Sequence, residues 1–328
     1  MSYNNNKVRI SLISTIGGHF EQLTNLFDFY NQYEHFWITN PNAQTEYELN
    51  NERKYFINMA HFKKPWQYLS HVPLLLRIFK KERPTHILST GSGRTCLVPF
   101  ILSRLLSIKF IYIDTFSYSN NLTKFGVFLN KLGHPIFTQW KNNIRKNVTF
   151  IGPILKENNI INKKSKAGNY IFVTLGSRFE QFERLIKVVE TLVKKDVISE
   201  KVIVQAGNTR YNSNYLEIFD FCSPKRIDEL IYNAKYVITQ ESAGIGTKCL
   251  KLNTKFLVMP RNYFLKELPA KSDMKEDLHL QLEDLGYTKV VNDVNELEMA
   301  IKTIDKLKSG FKFDNSLAIS TLKQLVEA

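Results

Sequence analysis

Strand-like runs alternate with helix-like segments along almost the whole of this chain, and glycines cluster where strands give way to helices. "KVRISLIS" reads as a strand, Gly17-Gly18 follow, and "FEQLTNLFDFYNQY" has apolar residues at helical spacing. "HFWITN" and "RKYFINM" read as further strands. "PWQYLSHVPLLLRIFKKERP" has proline at a first helical position, a basic last turn and a closing proline. "THILST", the loop "GSGRT", a helix through "LVPFILSRLL" and the strand "KFIYID" continue the pattern. Parallel strands need long crossovers, usually helical, so this alternation predicts an α/β fold with helices on both faces of a parallel sheet.

The pattern stops once. Lys156 to Asn169, "KENNIINKKSKAGN", is polar and aperiodic, which predicts a linker over 156–169. It then restarts with the strand "YIFVTL", the helix "FEQFERLIKVVETLVKK", the strand "KVIVQA", the helix "KRIDELIYNA" and the strand "YVITQ". The loop "ESAGIGT", a helix, the strand "KFLVMP" and helices near 273–285, 293–308 and 315–327 complete it. A chain of 328 residues exceeds one typical core. We expect two α/β domains, 1–155 and 170–310, followed by a C-terminal helix in 311–328.

Each half carries glycine directly after its first strand, Gly17-Gly18 and Gly176, and again later in "TGSGRT" and "SAGIGT". In open parallel sheets ligands bind beyond the carboxyl ends of strands. Glycine there lets the backbone turn and approach a ligand, and the amides of a following helix favour phosphate. None of the four loops has the G-x-G-x-x-G spacing of dinucleotide enzymes or the Gly-Lys-Ser/Thr ending of a phosphate loop.

A formal net charge of +14 calls for a negatively charged partner. No nucleic-acid module is recognisable, which leaves an anionic membrane surface or a phosphorylated substrate. Cys96, Cys222 and Cys249 are sparse and unpaired in spacing, as expected in a reducing cytoplasm and against a structural zinc site. The segment "MSYNNNKVRI" lacks the apolar core of a signal peptide, and Arg104 and Lys109 interrupt the most apolar stretch. The expectation is a cytoplasmic protein, peripheral on the inner face of the cell membrane. Pro65–Pro84, with Trp66, Tyr68 and "PLLLRIF" running into "KKERP", suits an interfacial helix, and "NLTKFGVFLNKLGHP" offers a second such surface.

"STIGGHFEQL", "ILSTGSGRTCLVPF", "KFIYIDTFS" and "HPIFTQW" resemble the membrane-associated, acceptor-binding subunit of the eukaryotic dolichol-linked N-acetylglucosamine transferase. "YIFVTLGSRFEQFERLI" and "YVITQESAGIGTKCLKLNTKFLVMPR" resemble its catalytic partner. Bacterial capsule and exopolysaccharide systems carry the same pair as separate chains; here the two would be fused, acceptor half first. A more distant likeness extends to the enzyme that adds N-acetylglucosamine to lipid I. The resemblance implies the GT-B fold, two Rossmann-like domains facing across a cleft. It implies inverting transfer from a UDP-sugar, bound by the second half, to a polyprenyl-diphosphate-linked sugar, bound by the first.

The chain departs from that family at several positions. Where its catalytic subunit reads His-Ala-Gly-Ala-Gly, this sequence has Gln240-Glu241-Ser242-Ala243-Gly244. Lys248 stands where several relatives have a ribose-binding glutamate, and Asp273-Met274-Lys275 replaces an Asp-His-Gln segment. The likeness then carries over backbone contacts of Ser242–Gly244 to the nucleotide, not the side-chain contacts.

Inverting transfer needs a base for the acceptor hydroxyl and dipolar or positive groups for the leaving diphosphate. His19, neutral and poised near pH 7, is the first candidate base, with Glu21 and Asp114 as alternatives. Gly17, Gly18, Gly91, Ser92, Gly93 and Arg94 are the acceptor-side loop residues. Gly176, Ser177, Arg178, Gln240, Glu241, Ser242, Ala243, Gly244, Lys248 and Arg261 are the donor-side ones. Arg178, Lys248, Arg261 and Lys275 make that side basic, which favours glucuronic acid over galactose, glucose or N-acetylglucosamine as donor sugar. There is no Asp-x-Asp, and the remaining histidines, His35, His61, His71, His86, His134 and His279, show no ligand spacing, so no metal and no cofactor beyond the UDP-sugar are expected. The rival readings are a UDP-sugar 2-epimerase of the same architecture and a non-catalytic membrane scaffold.

Overall fold

A computed structural model describes residues 7–58, 66–156, 168–269, 271 and 277–328, without the side chains at 43, 44, 66 and 67. The chain divides into two units. Unit 1 comprises Met1–Lys156 with Phe313–Ala328, and unit 2 comprises Glu157–Lys312.

Unit 1 begins with β1 (Arg9–Ile13), α1 (Gly18–Thr24), α2 (Phe27–Tyr30), β2 (Glu34–Thr39), α3 (Ala43–Glu48) and β3 (Lys54–Phe56). It continues with α4 (Trp66–Glu82), β4 (His86–Ser89), α5 (Gly93–Leu105), β5 (Lys109–Ile113), α6 (Lys124–Lys131), β6 (Ile136–Thr138) and β7 (Val148–Phe150). Its sheet runs β3-β2-β1-β4-β5-β6-β7, with every pairing parallel. The chain leaves β1 toward β2 and β3, then returns to build the other side from β4. The carboxyl ends of β1 and β4 therefore form a topological switch point. Ile13 pairs in register with both Ile38 and Ser89, so three central strands end level.

Unit 2 contains β8 (Tyr170–Thr174), α7 (Glu183–Lys194), β9 (Lys201–Gln205), β10 (Glu217–Phe219), α8 (Pro224–Asn233), β11 (Tyr236–Thr239) and α9 (Ala243–Lys251). After these come β12 (Phe256–Val258), α10 (Leu278–Asp284), β13 (Thr288–Val290) and α11 (Val294–Lys302). Its parallel sheet runs β10-β9-β8-β11-β12-β13, with the switch point between β8 and β11. The last helix, α12 (Ser316–Glu327), belongs to unit 1.

Burial follows from the parallel arrangement. β1, β4, β8 and β11 are almost wholly buried, as strands covered on both faces must be. One apolar layer of unit 1 packs Ile10 and Leu12 against Phe20, Leu23 and Phe29, with Ala318, Leu322 and Val326 of α12. The opposite layer packs α4, α5 and α6 through Leu75, Phe79, Phe100 and Phe125. Among the described residues no helix is long and apolar enough to cross a membrane.

Three features differ from the sequence reading. "FEQLTNLFDFYNQY" breaks into α1 and α2. The helix expected from Phe179 starts only at Glu183, because Phe182 is fully buried and its N–H donates to Thr209 Oγ1 at 3.0 Å. Four three-residue strands, β6, β7, β10 and β13, fall in stretches too short to show a period of two. Most of the expected linker, 157–167, and Asp273, Met274 and Lys275 lie outside the described residues.

Candidate functional site

In unit 1 the turn after β1 depends on Gly17, whose φ of +79° is the left-handed region that side chains disfavour. Gly17 O accepts from Glu21 N at 3.0 Å and so opens α1. Gly18 has no positive φ, and a methyl group at either glycine would meet nothing within 4 Å. Space for a ligand is thus open here, and conformation requires glycine only at 17.

His19 is fixed through its backbone, whose carbonyl accepts from Thr90 Oγ1 at 2.9 Å. Its Nδ1 is buried with no hydrogen-bond partner among the described residues. Burial drives the imidazole down to about 4, with a hydrogen bond to the Thr90 backbone opposing the shift. The expectation of a base poised near pH 7 is therefore corrected: His19 is neutral throughout the physiological range. Glu21 is half-buried one position beyond Phe20, and its carbonyl accepts from Asn25 Nδ2 at 2.6 Å.

Gln22, which sequence reasoning passed over, holds this turn in place. It is 6 % exposed. Its Nε2 donates to Gly18 O and Thr115 Oγ1, both at 3.1 Å, and its Oε1 accepts from Phe116 N and Gln139 Nε2. A lone glutamine within a helical pattern carries no signal of such a network.

Asp114 does not suit a catalytic base. It is 1 % exposed, its Oδ2 accepts from Thr123 N at 2.9 Å, and its Oδ1 accepts from Thr115 N at 3.1 Å and Tyr112 Oη at 3.3 Å. Burial raises its pKa against these donors. A side chain on Gly126 would overlap its Oδ2, so the carboxyl is packed as well as bonded. We read it as a structural node of the β5–α6 connection.

The second acceptor-side loop follows β4. A Cβ on Gly91 would crowd Cys96 Sγ, and one on Gly93 would press on Phe125 at 3.3 Å. Ser92 caps α5 by position without a side-chain bond, and its Oγ is buried without a partner among the described residues. Arg94 is half-buried just inside α5.

In unit 2 the loops after β8, β11 and β12 are bound together by Arg261. It is 3 % exposed. Nε donates to Gln240 Oε1, Nη1 to the carbonyls of Glu180 at 2.7 Å and Glu267 at 3.2 Å, and Nη2 to Leu175 O at 3.2 Å. The guanidinium lies 4.6 Å over the Phe182 ring. Burial brings its pKa down to about 10. Arg261 thus organises the site instead of standing ready for a diphosphate. Glu267 extends the network through a bidentate pair with Arg184, at 3.0 and 2.9 Å.

Gly176, with φ +69°, lies directly beneath Gln240, whose Nε2 would overlap any side chain there. Ser177 is exposed and Arg178 half-buried; both carbonyls accept from Asn208 Nδ2. Because α7 starts only at Glu183, these residues are not at a helix start, contrary to the sequence expectation. The helix start that does reach this switch point is that of α9, where Ser242 Oγ caps Ile245 N at 3.4 Å and Ala243 and Gly244 form the first turn.

Glu241 is the most informative donor-side residue. Its Oε2 accepts from Arg261 N at 2.6 Å, while Oε1 is buried with no partner among the described residues. Burial pushes the carboxyl up to about 7, against the Arg261 amide and the charges of Arg178 and Arg261. Lys248 is paired with Asp228 of α8. Of the four basic residues behind the expectation of an acidic donor sugar, Lys248 and Arg261 are engaged within the protein, Arg178 is half-buried, and Lys275 lies outside the described residues. Among the described residues no three metal-ligating side chains gather.

No family model matches the sequence, and no curated protein matches it. Solved structures do. UDP-GlcNAc 2-epimerase from Methanocaldococcus jannaschii, in complex with UDP-GlcNAc and UDP, aligns over 98% of this chain and 100% of its own, at 13% identity and TM-score 0.67. Acinetobacter baumannii MurG aligns over 98% of both chains, at 15% identity and TM-score 0.62. The kitacinnamycin glycosyltransferase aligns over 98% of this chain and 95% of its own, at 14% identity and TM-score 0.65. At such identities the likeness concerns architecture alone, and with the two parallel sheets it shows that this chain has the GT-B fold of two Rossmann-like domains.

Proposed function

We propose that the chain is an inverting glycosyltransferase that moves a hexose from a UDP-sugar to a lipid-linked sugar in capsule or exopolysaccharide assembly. Unit 1 takes the acceptor and unit 2 the donor. The observation that carries the acceptor side is an apolar surface on three helices of one layer of unit 1. Leu69 and Leu74 of α4, Ile101 and Leu105 of α5, and Val127 and Phe128 of α6 are all exposed. Lys80, Lys81, Arg104 and Lys131 occupy the last turns of the same helices. An apolar face with basic ends suits an anionic, lipid-bearing membrane surface.

In this reading His19 accepts the proton of the attacking acceptor hydroxyl while neutral, with Glu21 as the alternative base. On the donor side the diphosphate meets the α9 amides and the Arg178 guanidinium, and no metal takes part. Glu241, protonated in part near neutral pH, can donate to a phosphate oxygen that a carboxylate would repel.

The test incubates a panel of UDP-sugars with and without a lipid-linked monosaccharide and reads products by mass spectrometry. UDP release that requires acceptor, with a lipid-linked disaccharide formed, is expected, and chelation with EDTA should not reduce it. An isomerised UDP-sugar from donor alone would replace this reading by an epimerase. No acceptor-dependent release with any donor would leave a non-catalytic scaffold.

A further inference from the structure

Unit 2 carries an apolar prong that the proposed chemistry does not use. After β12 the chain passes through Arg261 into a 3₁₀ turn, Tyr263–Leu265, and returns to the buried Leu268. Phe264 is 68 % exposed and Leu265 55 %, with Tyr263 exposed beside them. Single apolar residues on a surface need no explanation, but a contiguous patch does.

The turn is held firmly. Asn262 closes it: Oδ1 accepts from Phe264 N at 2.8 Å, and its carbonyl accepts from Leu265 N and Glu267 N, both at 3.1 Å. Tyr263 O accepts from Lys266 N at 3.0 Å. Glu267 Oε2 accepts from Asn262 N at 2.8 Å and from Arg184 Nη2 at 2.9 Å, which fixes the base of the turn to the buried arginine network. Arg261 Nη1 donates both to Glu267 O and to Glu180 O in the loop after β8. Phe179, next to Glu180, is 85 % exposed, so one guanidinium ties two apolar tips to one support.

Two properties of the turn select its occupant. The successive amides of Phe264, Leu265, Lys266 and Glu267 are all bonded within it. Such a segment enters a medium of low polarity without baring a donor. The exposed charge over 261–271 is positive only, because Lys266 and Lys271 are exposed while Glu267 is buried against Arg184. Neither lysine is in an ion pair among the described residues, and Lys271 Nζ lies 5.4 Å over the Phe264 ring. Lysine stems follow apolar side chains into an interface while their ammonium groups stay at the headgroups, and tyrosine suits the same depth. We propose that the Tyr263–Lys266 turn is an interfacial prong through which unit 2 itself inserts among the headgroups of an anionic bilayer. Phe264 and Leu265 reach the acyl boundary, and Lys266 and Lys271 meet lipid phosphates.

This prong is separate from the α4–α6 surface of unit 1 and independent of which sugar is transferred, and its test keeps them apart. Cosedimentation of the full chain with vesicles of phosphatidylglycerol and phosphatidylcholine in equal parts reads the affinity. Phe264→Ser with Leu265→Ser should weaken binding about 10–100-fold, both in the wild type and in a background with Lys80, Lys81 and Arg83 replaced by Gln. Melting temperature and UDP affinity should not change, because both side chains are exposed. Phe264→Trp should bind like the wild type and be quenched by lipid brominated on its acyl chains beyond the quenching of the native tryptophans. Unchanged vesicle binding in the double variant, or no added quenching in Phe264→Trp, would overturn the inference and leave the unit 1 surface standing. Loss of self-association with vesicle binding kept would assign the turn to a second copy of the chain, and loss of UDP affinity alone would assign it to the donor site; either overturns the inference. Should the double variant melt several degrees lower, the quenching in Phe264→Trp decides by itself. A wild-type protein that binds no vesicles would overturn both membrane contacts.

Discussion

Burial shifts His19 of unit 1 and Glu241 of unit 2 in opposite senses, lowering the imidazole and raising the carboxyl. Burial lowers one to about 4 and raises the other to about 7, so near pH 7 the base candidate is neutral and the carboxyl about half-protonated. If His19 is the base, His19→Ala should reduce turnover by about 100- to 10,000-fold without unfolding. The acid limb of kcat/KM in the wild type should then fall near pH 4, not near 6.5. Full turnover in His19→Ala, or an equal loss in Glu21→Gln, would move the base elsewhere. For Glu241 the linkage runs the other way. Its folded pKa exceeds the ordinary 4.5, so the folded state holds its proton more tightly, and stability is full below about 4.5 and lost as pH rises to about 7. Glu241→Gln should therefore match the wild type in acid and gain roughly 1–3 kcal/mol at about pH 8. Urea midpoints across pH read this, and a variant less stable at both ends would show that the carboxylate itself is needed. The same substitution should flatten a rise in UDP-sugar KM with pH.

Among the elements, α4, α5 and α6 carry the surface on which lipid binding depends. Lys80 and Lys81 are exposed in the last turn of α4, and Arg83 is exposed just beyond it. Replacing all three by Gln should weaken binding to anionic vesicles, at about 1 kcal/mol per charge near the surface, and leave the little binding to neutral vesicles unaltered. Cosedimentation at two salt concentrations is decisive: binding indifferent to lipid charge would sink the interfacial reading. The long elements were legible from sequence because their burial imposes a period. β1, β4, β8 and β11 read as apolar runs, and α7 and α8 as amphipathic helices. β10 and β13, at three residues each, carry no such period. The glycine loops were legible as loops, yet their partners were not. That Gln240 covers Gly176, that the Arg261 guanidinium donates to Gln240 Oε1 and to backbone carbonyls, and that Lys248 pairs with Asp228 are facts of tertiary contact.

At the scale of the whole molecule, the chain crosses into unit 2 and comes back. The last helix had an evident amphipathic pattern, but nothing in its sequence says which core it covers. The structure gives it to unit 1: Ala318 and Leu322 are fully buried and Val326 nearly so, beside Phe20, Leu23 and Phe29. Polar contacts reinforce the docking, with Asn315 Nδ2 donating to Asn25 O at 3.0 Å and Tyr33 Oη to Glu327 Oε1 at 2.9 Å. The same layer contains α1, so α12 backs the helix that begins with the His19 turn. Leu322→Ala should cost about 2–5 kcal/mol, the usual range for a fully buried leucine, and the loss should fall on unit 1. Hydrogen exchange read peptide by peptide can localise it. Protection in β1, β4 and α1 should drop while that in β8, β9 and β11 persists, and acceptor affinity should fall with UDP affinity unchanged. Equal loss of protection in both units would mean that they unfold as one cooperative block, and loss confined to α12 itself would mean that the helix covers unit 1 without supporting it.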